Sequence, residues 1–174
     1  QCVTRWQDTN EFRPVPNDVE WHPSTYHHWT NPKFNKLESS ILANSRVDGL
    51  LNRDIQTNAV HRCSCGKVAS LEHLMLECPN QTNLMRNLHH RCNKFLRQYR
   101  IPGVIVLFSE KSEIPQLLRV PKWIEISIRG MVSMHTFIKL TKLTQGKEVK
   151  PVQVIHQIQR ELSQTIFDVV KRKA

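Results

Sequence analysis

A chain of 174 residues with 39% apolar and 23% charged side chains holds enough material for one sizeable core or two small ones, which argues against an intrinsically disordered segment. No run of eighteen apolar residues occurs, so no membrane-spanning helix is expected. The net charge of +10 favours a polyanionic partner, nucleic acid first, over an acidic protein or a merely solvated surface.

That charge is unevenly spread. Residues 1–58 carry six Lys/Arg against seven Asp/Glu, residues 59–100 seven against two, and residues 101–174 twelve against six. The chain starts at Gln1 with no charged-then-apolar leader, which predicts a piece of a longer polypeptide. Three segments are expected: an extended Pro- and aromatic-rich lead-in over 1–35, a helical unit with a Cys/His cluster over 36–100, and a helical C-terminal region over 101–174.

In the lead-in, Trp21, Tyr26, Trp29 and Phe34 are spaced by prolines and lack periodicity. The segment is net acidic, so these rings are expected to pack rather than to stack on bases. A first helix is predicted from about Asn35 to Leu51, with Leu37, Ile41, Leu42 and Leu50 on one face. A short helix follows over Ser70–Glu77, capped by Ser70 and stopped by Pro79, with Leu71, Leu74, Met75 and Cys78 sharing a side. Thr82–Arg100 then reads as a longer helix whose apolar side is Leu84, Leu88, Cys92, Phe95, Leu96 and Tyr99, and Pro102 and Gly103 close it. Residues 104–108 (VIVLF) form a short strand or an apolar plug. A further helix is predicted from near Pro121 to about Leu143, although IEISI within it also alternates with a period of two. TQGKEVK is a turn, and Pro151 opens a final helix over Val152–Lys173, with Val152, Ile155, Ile158, Leu162, Ile166 and Val169 at helical spacing. The expected fold class is mainly α: a small, irregular helical domain organised around one zinc knuckle, with a long C-terminal helix.

The chemistry concentrates in CSCGKVASLEHLMLEC. Cys63, Cys65, His73 and Cys78 fall within sixteen residues, and three thiolates with one imidazole are the ligand set of a closed tetrahedral zinc site. Five cysteines, an odd count without a secretory signal, favour an intracellular metal site over a disulfide framework. Gly66 relieves the turn after Cys65. His73 and Cys78, five apart, converge only if the last turn of the short helix is distorted before Pro79. His61 is close enough to be a supporting group or a substitute ligand. Cys92 reads as a buried core thiol; as a ligand it would replace Cys63 or Cys65. With four protein ligands no position is left for a reacting water, so the one Zn2+ is expected to be structural. The pairs His27/His28 and His89/His90 read as polar surface.

The run LLNRDIQTNAVHRCSCGKVASLEHLMLECPNQTNLMRNL resembles the zinc-binding segment at the C-terminal end of non-LTR (LINE-type) retrotransposon reverse transcriptases, a CCHC knuckle. The matching residues are Cys63, Cys65, Gly66, Leu71, His73, Leu74, Cys78, Pro79 and Arg86, and the likeness covers roughly Tyr26–Leu88. The glycine-histidine pair of that family is replaced by Val47, Asp48 and Gly49. No YxDD-like polymerase sequence is present, and Glu110, Glu113, Glu125 and Glu148 lack nuclease spacing. The resemblance therefore implies the non-catalytic end of a larger enzyme, or a domesticated descendant.

The expected function is a zinc-stabilised nucleic-acid-binding module, for RNA more than DNA, gripping phosphates through Arg62, Lys67, Arg86, Arg91, Lys94 and Arg97. No catalytic residue, membrane or small-molecule substrate is expected. The alternative is a structural subunit of a ribonucleoprotein or protein assembly. The location implied is intracellular: the nucleus, with the mitochondrion as alternative.

Overall fold

The computed structural model describes residues 20–23, 33–46, 62–109 and 123–173. Among these residues the fold is mainly helical, with one small two-stranded sheet. Helix α1 spans Lys36–Ser45, a π-helical turn His73–Glu77, a 3-10 turn Pro79–Gln81, and helix α2 Thr82–Gln98. Strands β1 (Ile105–Phe108) and β2 (Ile124–Ser127), then helices α3 (Met134–Leu143) and α4 (Pro151–Lys173), complete it.

Helix α1 starts at a reciprocal cap. Asn35 Oδ1 accepts the Glu38 N–H at 2.8 Å, and Glu38 Oε1 accepts the Asn35 N–H at 3.0 Å. The helix ends at Ser45, with Arg46 as its cap, short of the expected Leu51. Its end is polar: Asn44 Nδ2 donates back to the Ser40 carbonyl, and Ser45 Oγ to the Leu42 carbonyl. These bonds compete with further helix, and the buried Arg129 Nε takes up the Ser45 carbonyl at 3.0 Å. Ile41 and Leu42 are buried as expected, whereas Leu37 is 54% exposed. Leu50, Gly49, His61, Tyr26 and Trp29 lie outside the described residues. Trp21 and Phe34 are buried, and the Phe34 ring meets His156 edge-on at 5.5 Å.

The helix expected from Pro121 to Leu143 is corrected by the structure. Its first part is strand β2, paired parallel to β1 in the register Ile105–Ile124 to Phe108–Ser127. Ile124, Ile126 and Ile128 are completely buried, and the Ile124 N–H and Ile128 N–H bond to the Val104 and Phe108 carbonyls. An extended backbone satisfied by β1 places this apolar run in the core. Gly130 then turns the chain at φ +76°, where an added Cβ would lie 3.2 Å from Leu42 Cδ2. Helix α3 begins only after Ser133, whose Oγ accepts the Thr136 N–H.

Helix α4, with 23 residues and a length of about 34 Å, is the central pillar. Val154, Ile155, Ile158, Leu162, Ile166 and Val169 are buried, as are Gln159, Ser163 and Thr165, so more than one side of the helix is covered. It packs against α1, α2, α3 and the π turn. One cluster of buried residues runs from Ile41 to Val169. Each fully buried Ile or Leu in it contributes roughly 1.5–3 kcal/mol. Among the described residues, no helix is long and apolar enough to cross a membrane.

Candidate metal centre and basic face

Four side chains meet at one end of the pillar. Cys63 leads into a tight turn: its N–H bonds to the Lys67 carbonyl at 2.7 Å and its carbonyl accepts the Gly66 N–H at 2.8 Å. A bridge between Arg62 and Val68 closes this small loop, and Gly66 sits at φ +92° as the turn requires. Both cysteines of the CxC pair are thereby held over the next segment.

That segment supplies His73 and Cys78. On an α-helix two positions five apart point about 140° away from each other. Here the Cys78 N–H reaches the His73 carbonyl at 2.7 Å, and the wider π turn brings both side chains to one side. The expected distortion before Pro79 is thus a π turn. Ser70 Oγ accepts the His73 N–H at 3.1 Å and fixes the start of the turn.

The result is a compact donor set. Cys63 Sγ lies 3.5 Å from Cys78 Sγ, and Cys65 Sγ lies 3.1 Å from His73 Nε2. All four ligand atoms fall within 4.8 Å of one another. Around a metal with bonds of 2.0–2.3 Å, tetrahedral ligand atoms stand about 3.5–3.8 Å apart, so the cluster is of the size that can hold a metal ion. Cys63, His73 and Cys78 are buried and Cys65 is exposed. Glu77 Oε2 lies 3.4 Å from His73 Nδ1. A proton on Nδ1 facing this carboxylate leaves the Nε2 lone pair directed into the cluster. Asn80 Nδ2 donates to Ser64 Oγ at 3.0 Å and ties the CxC turn to the residues after Cys78.

The electrostatics point the same way. The Cys63 thiol is brought down to about 6, chiefly by the Cys65 backbone N–H, then by the side chains of His73, Cys78 and Cys65. Cys78 moves upward because burial and the neighbouring sulfurs oppose another negative charge. Three thiolates in this volume repel one another, and a bound cation relieves that repulsion. Cys92 lies outside the cluster, 1% exposed in the core, where burial pushes its thiol up to about 12.

The basic residues divide into two groups. Helix α2 contains no Asp or Glu, and its apolar side (Leu88, Cys92, Leu96) faces the core. At 100° per residue, Arg86, Lys94 and Arg97 fall within an arc of about 80° on the opposite side, and all three are exposed. Arg62 and Lys67 are exposed on the CxC loop, where Arg62 Nη1 donates to the Gly66 carbonyl. Arg91, grouped with this surface in the sequence, is turned to α4: its Nε donates to Glu161 Oε2 at 2.5 Å and its Nη2 to Thr165 Oγ1 at 3.0 Å. Glu161 and Glu77 were missed by sequence reasoning. The i, i+4 spacing of His73 and Glu77 was a usable signal; nothing local marks Glu161 as the partner of Arg91.

No protein-family model, curated protein or solved structure matches the chain.

Proposed function

We propose that the chain is a non-catalytic nucleic-acid-binding module in which Cys63, Cys65, His73 and Cys78 hold one structural Zn2+. A set of three thiolates and one imidazole is soft and tetrahedral, which suits zinc above harder cations. All four positions are filled by protein, so the metal fixes the loop and does no chemistry. Its role is to hold the CxC loop against the start of α2, so that Arg62 and Lys67 stand with Arg86, Lys94 and Arg97 as one cationic surface for phosphates.

The observation that carries this reading is the exposed face of α2, cationic along its length and free of carboxylates. RNA is favoured over DNA as the ligand, with backbone and shape contacts ahead of base-edge readout. The resemblance to the C-terminal end of LINE-type reverse transcriptases agrees with such a role inside the cell, in the nucleus ahead of the mitochondrion. The test is a fluorescence-anisotropy titration of a short single-stranded RNA and its DNA counterpart across salt. Affinity for RNA is expected to fall steeply, with a log–log slope of about −0.7 for each phosphate neutralised. A flat slope rejects the reading.

A second reading is a structural subunit of a ribonucleoprotein or protein assembly. It is favoured by Val68 and Leu76, two apolar side chains on the metal-binding segment that are 46% and 42% exposed. Under that reading, double substitution to Ser abolishes capture of the assembly and leaves RNA affinity unchanged.

A further inference from the structure

A cavity of about 250 Å³ opens where the C-terminal end of α2 meets the first turns of α4. It is a little smaller than the roughly 300 Å³ at which pockets for drug-sized ligands begin, the size for one ring system. Its wall is aromatic: Phe95 and Tyr99, one helical turn apart, stand with ring centroids 5.1 Å apart, tilted by 58°. Apart from Val149, its other groups are polar and of mixed character. Lys33 and Arg160 supply positive charge, and Glu148 supplies a carboxylate. The Arg160 guanidinium is anchored through Nε to Glu38 Oε2 at 3.0 Å, and the Gln153 amide by accepting the Lys150 N–H. The pocket is therefore neither an apolar gap in the packing nor a plain anion hole.

We propose that this pocket receives one unstacked nucleobase of the bound strand, guanine in preference to the others, with Phe95 and Tyr99 as the stacking wall and Glu148 reading the base edge. The inference rests on the nucleic-acid reading and deepens it. Unpaired bases are held by stacking on aromatic side chains and by hydrogen bonds to their exposed edges. A carboxylate accepts only. Guanine presents two adjacent N–H donors, at N1 and N2, that match the two carboxylate oxygens. Uracil presents one donor flanked by two carbonyls that the carboxylate repels, while adenine and cytosine each offer a single amino group beside an acceptor. Lys33 and Arg160 are the partners for the attached phosphate.

The experiment titrates the full zinc-loaded chain with a uridine dodecamer, with the same dodecamer carrying one central guanosine, and with GMP and UMP alone. The guanosine-containing strand is expected to bind at least about fivefold more tightly, about what one net hydrogen bond to the base edge contributes. Glu148→Gln should erase that advantage and leave the uridine dodecamer and its salt slope unchanged; Tyr99→Leu, which removes a stacking surface open to any base, should erase it while leaving the salt slope unchanged. Glu148 is an exposed side chain, so its variant keeps the fold. Equal affinity for the two strands, with the steep salt slope retained, overturns the pocket and leaves the module standing. GMP binding that depends on Glu148, without binding of either strand, supports the pocket and rejects the module.

Discussion

The Cys78 N–H bonds to the His73 carbonyl at 2.7 Å, closing a turn one residue wider than an α-helical one, and that single bond makes a His-x4-Cys spacing usable for metal binding. Two ligands on a regular helix would face apart; on this turn they converge above Cys63 and Cys65. Pro79 stands directly behind Cys78 and opens the 3-10 turn, where a proline, lacking an N–H, cannot continue the π turn.

Removing one ligand should remove the metal and much of the local fold together. The parent chain is expected to carry one equivalent of zinc by elemental analysis, and Cys78→Ser far less. Binding energy in such a site is folding energy, so the variant should also lose thermal stability, as a chelator should do to the parent. A variant that keeps both its zinc and its melting temperature refutes the ligand set.

Glu77 gives a finer test, because it touches the ring of His73 and not the cluster itself. Glu77→Gln keeps size and shape but removes the carboxylate facing Nδ1. Zinc affinity, measured by competition with a chromophoric chelator, should fall by about 10- to 100-fold, with the circular dichroism spectrum unchanged. An unchanged affinity would mean that the 3.4 Å contact is incidental.

At the other end of α2 the chain closes with a non-glycine residue in the left-handed region. Arg100 has φ +56°; its N–H bonds to the Arg97 carbonyl, and the Ile101 N–H reaches back to the Leu96 carbonyl. This is the Schellman arrangement, in which glycine usually occupies the Arg100 position, and the buried pair Leu96 and Ile101 completes it. Arg100→Gly relieves the backbone strain and should stabilise the chain by about 0.5–1 kcal/mol in urea unfolding. A loss of stability would show that the arginine side chain contributes more than its backbone costs.

What could be read from sequence follows the range of the interactions. The helix over Thr82–Gln98 and the final helix carry their own periodicity, so most of their buried faces were legible; Val152, expected on the buried face of the final helix, is instead 37% exposed, and Val154 is buried in the same first turn. The Cys/His cluster was legible because its four members lie within sixteen residues. The strand Ile124–Ser127 was obscured because a short apolar run is stabilised as strand or as helix by whatever pairs with it, and its partner is Ile105–Phe108. Arg91 looked identical to Arg86 and Lys94 in sequence; Glu161, seventy residues away, separates them.

Acid should weaken the fold through His89. Burial holds its imidazole below the ordinary 6.5, and its Nε2 is buried without a hydrogen-bond partner among the described residues. The unfolded chain takes up a proton at about 6.5 that the folded chain resists. Stability is therefore retained above that pH and lost as pH falls from 6.5 toward the lowered folded value. The slope is at most about 1.4 kcal/mol per pH unit for one such group, and less here because the side chain is only partly buried. Urea midpoints at pH 7.5 and 5.5 measure it. Since acid also releases a metal held by thiolates and an imidazole, the comparison with His89→Leu isolates the share of His89: that variant should lose less stability over the same interval. Equal losses in the two proteins would remove His89 from the explanation.

The division among the basic residues makes the most direct test of the proposed surface. Replacing Arg86, Lys94 and Arg97 with Ala removes three exposed cations from a face that buries nothing, so the melting temperature should stay where it is. If each contacts a phosphate of single-stranded RNA, the log–log salt slope should fall by about 0.7 per residue, roughly 2 for the triple variant. Arg91→Ala should do the reverse. It breaks the bonds to Glu161 and Thr165 that tie α2 to the pillar, costing about 1 kcal/mol for a pair that is partly exposed on both sides, while the salt slope changes little. The two variants thus exchange their effects on stability and on salt dependence. If the triple variant loses stability with an unchanged slope, α2 is a packing helix and its charges serve solubility. If Arg91→Ala lowers the slope as much as the triple variant does per residue, the ion pair with Glu161 opens when RNA binds, and the surface extends to the seam between α2 and α4.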